Sequence, residues 1–543
     1  MSLRNRFVLM SVLAALAVLM GCSSTNKAAP PPTGGFSNTS LSGTYVFSTS
    51  GADSGGDFLT MVGSFTACGC SGGTISAGSV VMNDPAFVFT APVPAFTIIG
   101  GSYTVGVDGR GTASLTTSTA TPFGTSTIVL DFVLTSSQGG LVSEFDNNGS
   151  GSGTLDLQSS VTQAQLAAGT GTFVFNLTGV SSSLEAPEAT VGSVTLDALG
   201  NATGVQDLNG DGASNPSSAP LSITSSSVLV GTPGTATLFN GTGTLNFAVY
   251  AISPTHLKFI ETDVSPVLAG DVFSQSSNTF PSGELAFTMA GVDYTVPDGP
   301  APLTVGGMMN AVGTSISGGV EDFNDAFTPN ITSVSPITAP LAFTGGVTSV
   351  AGRSLLTLNT FENGADGTAG TFTFAAYPST GGTQLLEVDS LGITGGVAYP
   401  QNSTSFASGQ GYGLNLTGTN GGEVDDIAEF TNTNNSLSGL IDINNGGQPS
   451  TQNFSGTYTP DTTNLGRGVI TTTTGGINVV SYTLDSTNSI FIEIDNYQVA
   501  LGSIGQQASA SQGAIATRMA SLRPRTAARV AWKKKPTAAG QNR

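Results

Sequence analysis

The sequence predicts an all-β protein of four tandem antiparallel meander modules, each a small up-and-down β-barrel, with a β-sandwich as the alternative closure. Three observations carry this. Short alternating runs of valine, threonine and glycine suit strands. Charged residues make up only 9% of the chain and mean hydropathy is +0.16, a balance opposite to that of disordered chains. The skeleton E-x-D-x6-G-x4-Q occurs four times without a gap: Glu144, Asp146, Gly153 and Gln158; Glu261, Asp263, Gly270 and Gln275; Glu387, Asp389, Gly396 and Gln401; and Glu493, Asp495, Gly502 and Gln507.

Other landmarks keep their order inside each unit. An opening strand reads Tyr45-x-Phe47, Phe173-x-Phe175, Leu285-x-Phe287 and Tyr412-x-Leu414, followed by Gly51, Gly179, Gly291 or Gly418. A second signature, G-x-x-D-x-N, contains Asp207 and Asn209, Asp322 and Asn324, and Asp442 and Asn444, while the first unit has Val81 and Asn83 at those places. A third, G-[RT]-G, is read at Arg110, Thr242 and Arg467, with a degenerate copy at Arg353. The boundaries that follow are residues 41–160, 161–277, 278–405 and 406–509, each long enough for its own core. About eight alternating segments fit the first unit, and turn pairs such as Asp108-Gly109 favour hairpins.

Residues 1–21 have Arg4 and Arg6, then an apolar run from Phe7 to Met20, and "LMGC" ends the segment at Cys22. The run is short for a bilayer span and suits a signal-peptide core. The segment resembles a bacterial lipoprotein signal with its lipobox. That resemblance implies cleavage before Cys22, lipidation of its thiol and anchoring to a membrane. Ser23 is similar to the residue that accompanies outer-membrane sorting. Residues 22–40, with three consecutive prolines, read as a stalk. The body resembles tandem all-β modules of uncharacterised exported bacterial proteins, which implies no activity. Its G-x-Y-x-F openings are faintly similar to those of lipocalin or avidin-type barrels but lack their tryptophan; the only one is Trp532.

All 35 acidic residues lie in the body, against four bases there (Arg110, Lys258, Arg353 and Arg467), a net of −31. Residues 510–543 hold eight bases and no acid, and read as a disordered basic tail. Such an acidic body excludes nucleic acid as a partner.

On a strand Glu493 and Asp495 share one face and Ile492 and Ile494 the other. The simplest reading puts the carboxylates of Glu144, Asp146, Glu261, Asp263, Glu387, Asp389, Glu493 and Asp495 in solvent and the isoleucines in the core. The recurring Gly and Gln then serve as a turn or bulge and a hydrogen bonder of the closing strand. The sharper alternative is Ca²⁺, for which Asp207, Asn209 and Asp211 are the best candidates, because they alternate like the first half of an EF-hand loop. Their twelfth position is Ser218 where that family has Glu, and an Asx-rich turn is the simpler reading. His256 reads as a turn or surface residue, and Cys68 and Cys70 as an unreactive pair rather than a tight disulfide.

With one histidine, no G-x-S-x-G and no phosphate-binding loop, a catalytic role is not expected. The expectation is a cell-envelope lipoprotein with a non-catalytic binding or structural role, whose partners are the membrane and an envelope polymer or surface glycan. A surface adhesin or carbohydrate-binding protein is the alternative, and an envelope hydrolase the second.

Overall fold

The computed structural model describes residues 35–508 apart from 88, 90, 170, 182–185, 211–218, 242, 296–299, 336, 361–369, 403–405 and 475–476. Thirty-two strands close, in sequence order, into four eight-stranded antiparallel barrels. Their strands run over residues 42–157, 172–274, 283–400 and 410–506. In the third barrel the pairing of Ala301–Val312 with Ser315–Asp325 completes the cylinder, and the two-residue strand Thr328–Pro329 hangs on its third strand.

Alternation along the first strand, Ser42–Asp53, puts Tyr45 and Phe47 inside against Phe65. Phenylalanine and leucine fill the other three interiors in the same way. Where the first strand meets the eighth, two glycines per barrel allow close approach. A Cβ on Gly153 would lie 1.4 Å from the Ser48 carbonyl oxygen, and one on Gly51 would lie 1.8 Å from that of Ser150. The skeleton glycine therefore sits in mid-strand at this seam, a correction to its expected turn or bulge.

The outer faces are not all wet. Strands one to three of each barrel pack on strands six to eight of the next. Val46, Val62 and Val81 meet Tyr250 and Ile260; Val174 and Val191 meet Tyr377 and Leu386; and Ala286 and Met308 meet Tyr482, Ile490 and Ile492. The fourth barrel returns to the first, where Ile427 packs on Val133 and Leu141. This head-to-tail contact closes after four copies, so the chain forms a ring.

All four barrels point the same way in it. The ring thus has two faces: one carries the turns between strands one and two, three and four, five and six, and seven and eight. The other carries the remaining turns, the links between barrels and both ends of the described chain.

Candidate functional site

The repeated polar residues join the barrels. At the end of each third strand an asparagine carboxamide crosses into the next barrel and donates to carbonyls beside the recurring Glu and Asp. Asn83 donates to Glu261 and Asp263, Asn209 to Glu387 and Gly392, Asn324 to Glu493 and Asp495, and Asn444 to Glu144 and Gly149, all at 2.8–3.2 Å. The skeleton Gln ties the opposite face. Nε2 of Gln158, Gln401 and Gln507 donates to carbonyls of Ala251, Thr483 and Leu134 in the next barrel. Gln275 instead forms a backbone bridge to Ser379. The backbone N–H of each Gln also bonds the first strand of its own barrel, as expected of the closing strand, so the Gln is both a seam bonder and an inter-barrel link.

The four glutamates are not solvated, which corrects the face expected for them, while Asp146, Asp263, Asp389 and Asp495 are half-buried. Glu144, Glu261, Glu387 and Glu493 are at most 1% exposed and share the inward parity of Val142, Phe259, Leu385 and Phe491. Ile492 is the residue that points outward, into the third barrel. Burial, reinforced by the neighbouring Asp, holds Glu144, Glu261 and Glu493 well above the usual carboxylate range. The four aspartates close the last turn of each barrel. Asp146, Asp263, Asp389 and Asp495 accept the backbone N–H of Val129, Asn246, Thr373 and Asn478.

All four bases of the body are at the junctions, one to each. Arg353 Nε lies 2.6 Å from Asp207, and Arg467 Nε 2.7 Å from Asp322, both pairs fully buried. Tyr377 and Tyr482 donate to the same two aspartates at 2.6 Å. Arg110 reaches Asp442 at 3.1 Å, with Val133 in the tyrosine place. At the first junction the aspartate place holds Val81. Strand register puts Pro233, one step beyond the Gly234↔Val249 pair, opposite Tyr250 in the arginine place. Gly241 and Gly243 belong to the following turn, so their match to G-[RT]-G is one of spacing only; Thr242 lies outside the described residues.

The first junction has its own cation. Buried Lys258 lies 2.8 Å from Asp271 and 3.8 Å from Asp156 of the first barrel, and His256 lies 2.7 Å from Asp271 and stacks on Phe273. Burial alone would raise Asp271, but Lys258 and His256 outweigh it and hold the carboxyl below the usual range. Asp156 is raised, burial prevailing over Lys258. His256 is therefore a junction residue, not a turn or surface one. Asp271 also lines a small cleft where three barrels meet, with Ser48, Ser50, Ser152, Asn176, Thr178 and Gln384. Hydroxyls and carboxamides there can both donate to and accept from a small polar ligand.

Asp207 and Asn209 lie on a strand and face the third barrel through the bonds above, which leaves no loop at these two residues for Ca²⁺; Asp211 is outside the described residues. Among the described residues no three His, Cys, Asp or Glu side chains are grouped to hold a metal. Cys68 and Cys70 form a disulfide, against the preferred reading. Cys22 is also outside the described residues. No protein-family model matches the chain, and no curated protein does.

Proposed function

We propose that the protein is an exported lipoprotein, anchored in a membrane through Cys22, whose ring acts as a non-catalytic binding or structural element of the cell envelope. The carrying observation is what the repeats do: their Asn and Gln cross between barrels, their Asp close turns, and their Glu lie inside, so the repeated chemistry builds architecture rather than four active centres. The lipobox-like "LMGC" supports the anchor, and outer-membrane sorting follows from Ser23. Among the described residues no helix is long and apolar enough to cross a membrane.

A second reading keeps an envelope polymer or surface glycan as partner, with the hydroxyls and carboxamides at the mouth of this small cleft as its contact point. Labelling cells with a radioactive fatty acid tests the anchor: label on the wild-type chain and none on Cys22→Ala is expected, and an unlabelled wild type would refute it. Binding of soluble glycans, compared between wild type and Asn176→Ala, tests the cleft.

A further inference from the structure

We propose that the ring docks with its Gln-bearing face on a membrane surface containing anionic lipid headgroups, a proposal that rests on lipid anchoring at Cys22. Four observations converge on that face.

Both ends of the described chain leave from one corner of it. Phe36 N donates to the Val107 carbonyl, and Gln507 Nε2 to that of Asp108, one residue on. Residues 22–35 therefore tether this corner to the lipid within about 45 Å even when fully extended. The tail, with its eight bases and Trp532, starts from the same corner.

Charge is divided between the faces. Turns on the Asn face bear Asp53, Asp57, Asp146, Asp263, Asp389 and Asp495 among others. Turns and strand starts of the Gln face have Asp108, Asp197, Glu284, Asp461 and Asp485 among the described residues, and Asp108 and Asp461 are paired with Arg110 and Arg467. An anionic surface repels the body least from this side.

Aliphatic side chains stand at its turn tips. Val107, Leu199, Leu229, Val312 and Leu465 are 42–77% exposed and every barrel supplies at least one. The opposite face also exposes Val264, Tyr294, Val334 and Tyr497, at 37–50%, and the Tyr497 hydroxyl bonds Asp495. Shallow aliphatic contacts, a basic segment and an acyl anchor are the combination that gives stable binding where one acyl chain alone is marginal.

The test uses the full-length protein reconstituted in phosphatidylethanolamine vesicles with and without phosphatidylglycerol. Nitroxide labels are placed at Leu199→Cys and Leu465→Cys on the Gln face and at Val264→Cys on the other, and their collisions with oxygen and with an aqueous nickel complex are compared. The expected result is lipid-like accessibility at 199 and 465 only, with a blue shift of Trp532 emission that requires phosphatidylglycerol. Equal aqueous exposure of both faces would overturn the proposal. So would loss of contrast in Leu199→Cys alone with an unshifted Trp532, or association of rings through the tail without vesicles. Mass analysis of the N-terminal peptide reads acylation of Cys22 separately. If Cys22 is unmodified, the anchor reading fails while the contrast between the faces, measured on the added protein, still decides the docking.

Discussion

The junction between the third and fourth barrels and the one between the first and second have the same geometry and different chemistry. The former buries Asp322, Arg467 and Tyr482 as a bonded triad. The latter has Val81 and Pro233 in two of those places, keeps Tyr250, and carries its cation elsewhere, at Lys258. The Asn link is common to both. The charged Asp–Arg pair is therefore replaceable as a unit, while the asparagine link holds the register. A buried pair costs desolvation that its attraction only roughly offsets, so losing both partners is tolerated where losing one is not.

That contrast can be broken directly. Arg467→Met leaves Asp322 buried without its cation and is expected to cost about 3–5 kcal/mol in denaturant unfolding. The double variant Asp322→Val, Arg467→Met, which copies the apolar character of the first junction, should recover most of the loss. If it is as unstable as the single variant, the pair is not replaceable. Lys258→Met should match the single variant, because buried Asp156 and half-buried Asp271 then lie near each other without their cation.

A smaller effect, about 1–3 kcal/mol, is expected for Asn444→Ala and for Asn209→Ala, each of which orphans two carbonyls. Only Asn444→Ala should widen the distance between the first and fourth barrels, measured with a spin-label pair, because no covalent link spans that junction.

Acidity separates the junctions further. At the closing junction Arg110 serves several carboxylates, and burial pushes Asp131 up to about 7 and Glu429 up to about 8. A raised folded value means stability that is present at low pH and is lost as pH rises from the unfolded value through the folded one. The melting temperature should therefore fall from about pH 4 to about pH 8 and level off above that, and Glu429→Gln should flatten the fall. Asp271 has the opposite sign: its contribution is present above the unfolded value and is lost only as pH falls through its lowered folded one. The smallest change is expected for Glu493→Gln, within about 0.5 kcal/mol at pH 7, since burial favours the uncharged acid that glutamine resembles. Asp495→Asn should cost about 1 kcal/mol, because one of the two carboxyl oxygens that bond the Asn478 N–H and carboxamide is replaced by a donor.

Much of the fold is legible in the sequence and most of the site is not. Repeat spacing locates the modules, since E-x-D-x6-G-x4-Q marks the seventh strand, the turn after it and the eighth. The face of Glu493 is not legible because both sides of its strand are buried, one by its own barrel and one by the preceding barrel. Period-two alternation separates two faces but does not say which is wet. His256 is hidden for the same reason: its partner Asp271 lies on the following strand at the junction. One signal is present: Asp and Arg signatures that are both degenerate somewhere, Asp to Val81 in one module and Arg to Pro233 in the next, are what paired residues leave.

By itself the sequence determined local matters: strand period, hairpin turns, the number of modules and the uneven charge of body and tail. These depend on neighbours along the chain. Tertiary structure alone decided that the barrels close into a ring and that Asn444 and Gln507 meet the first barrel some 300 to 400 positions away. It also decided which carboxylates are buried. Head-to-tail closure depends on the angle between successive barrels, and that angle is set by packing across four junctions rather than by any one segment.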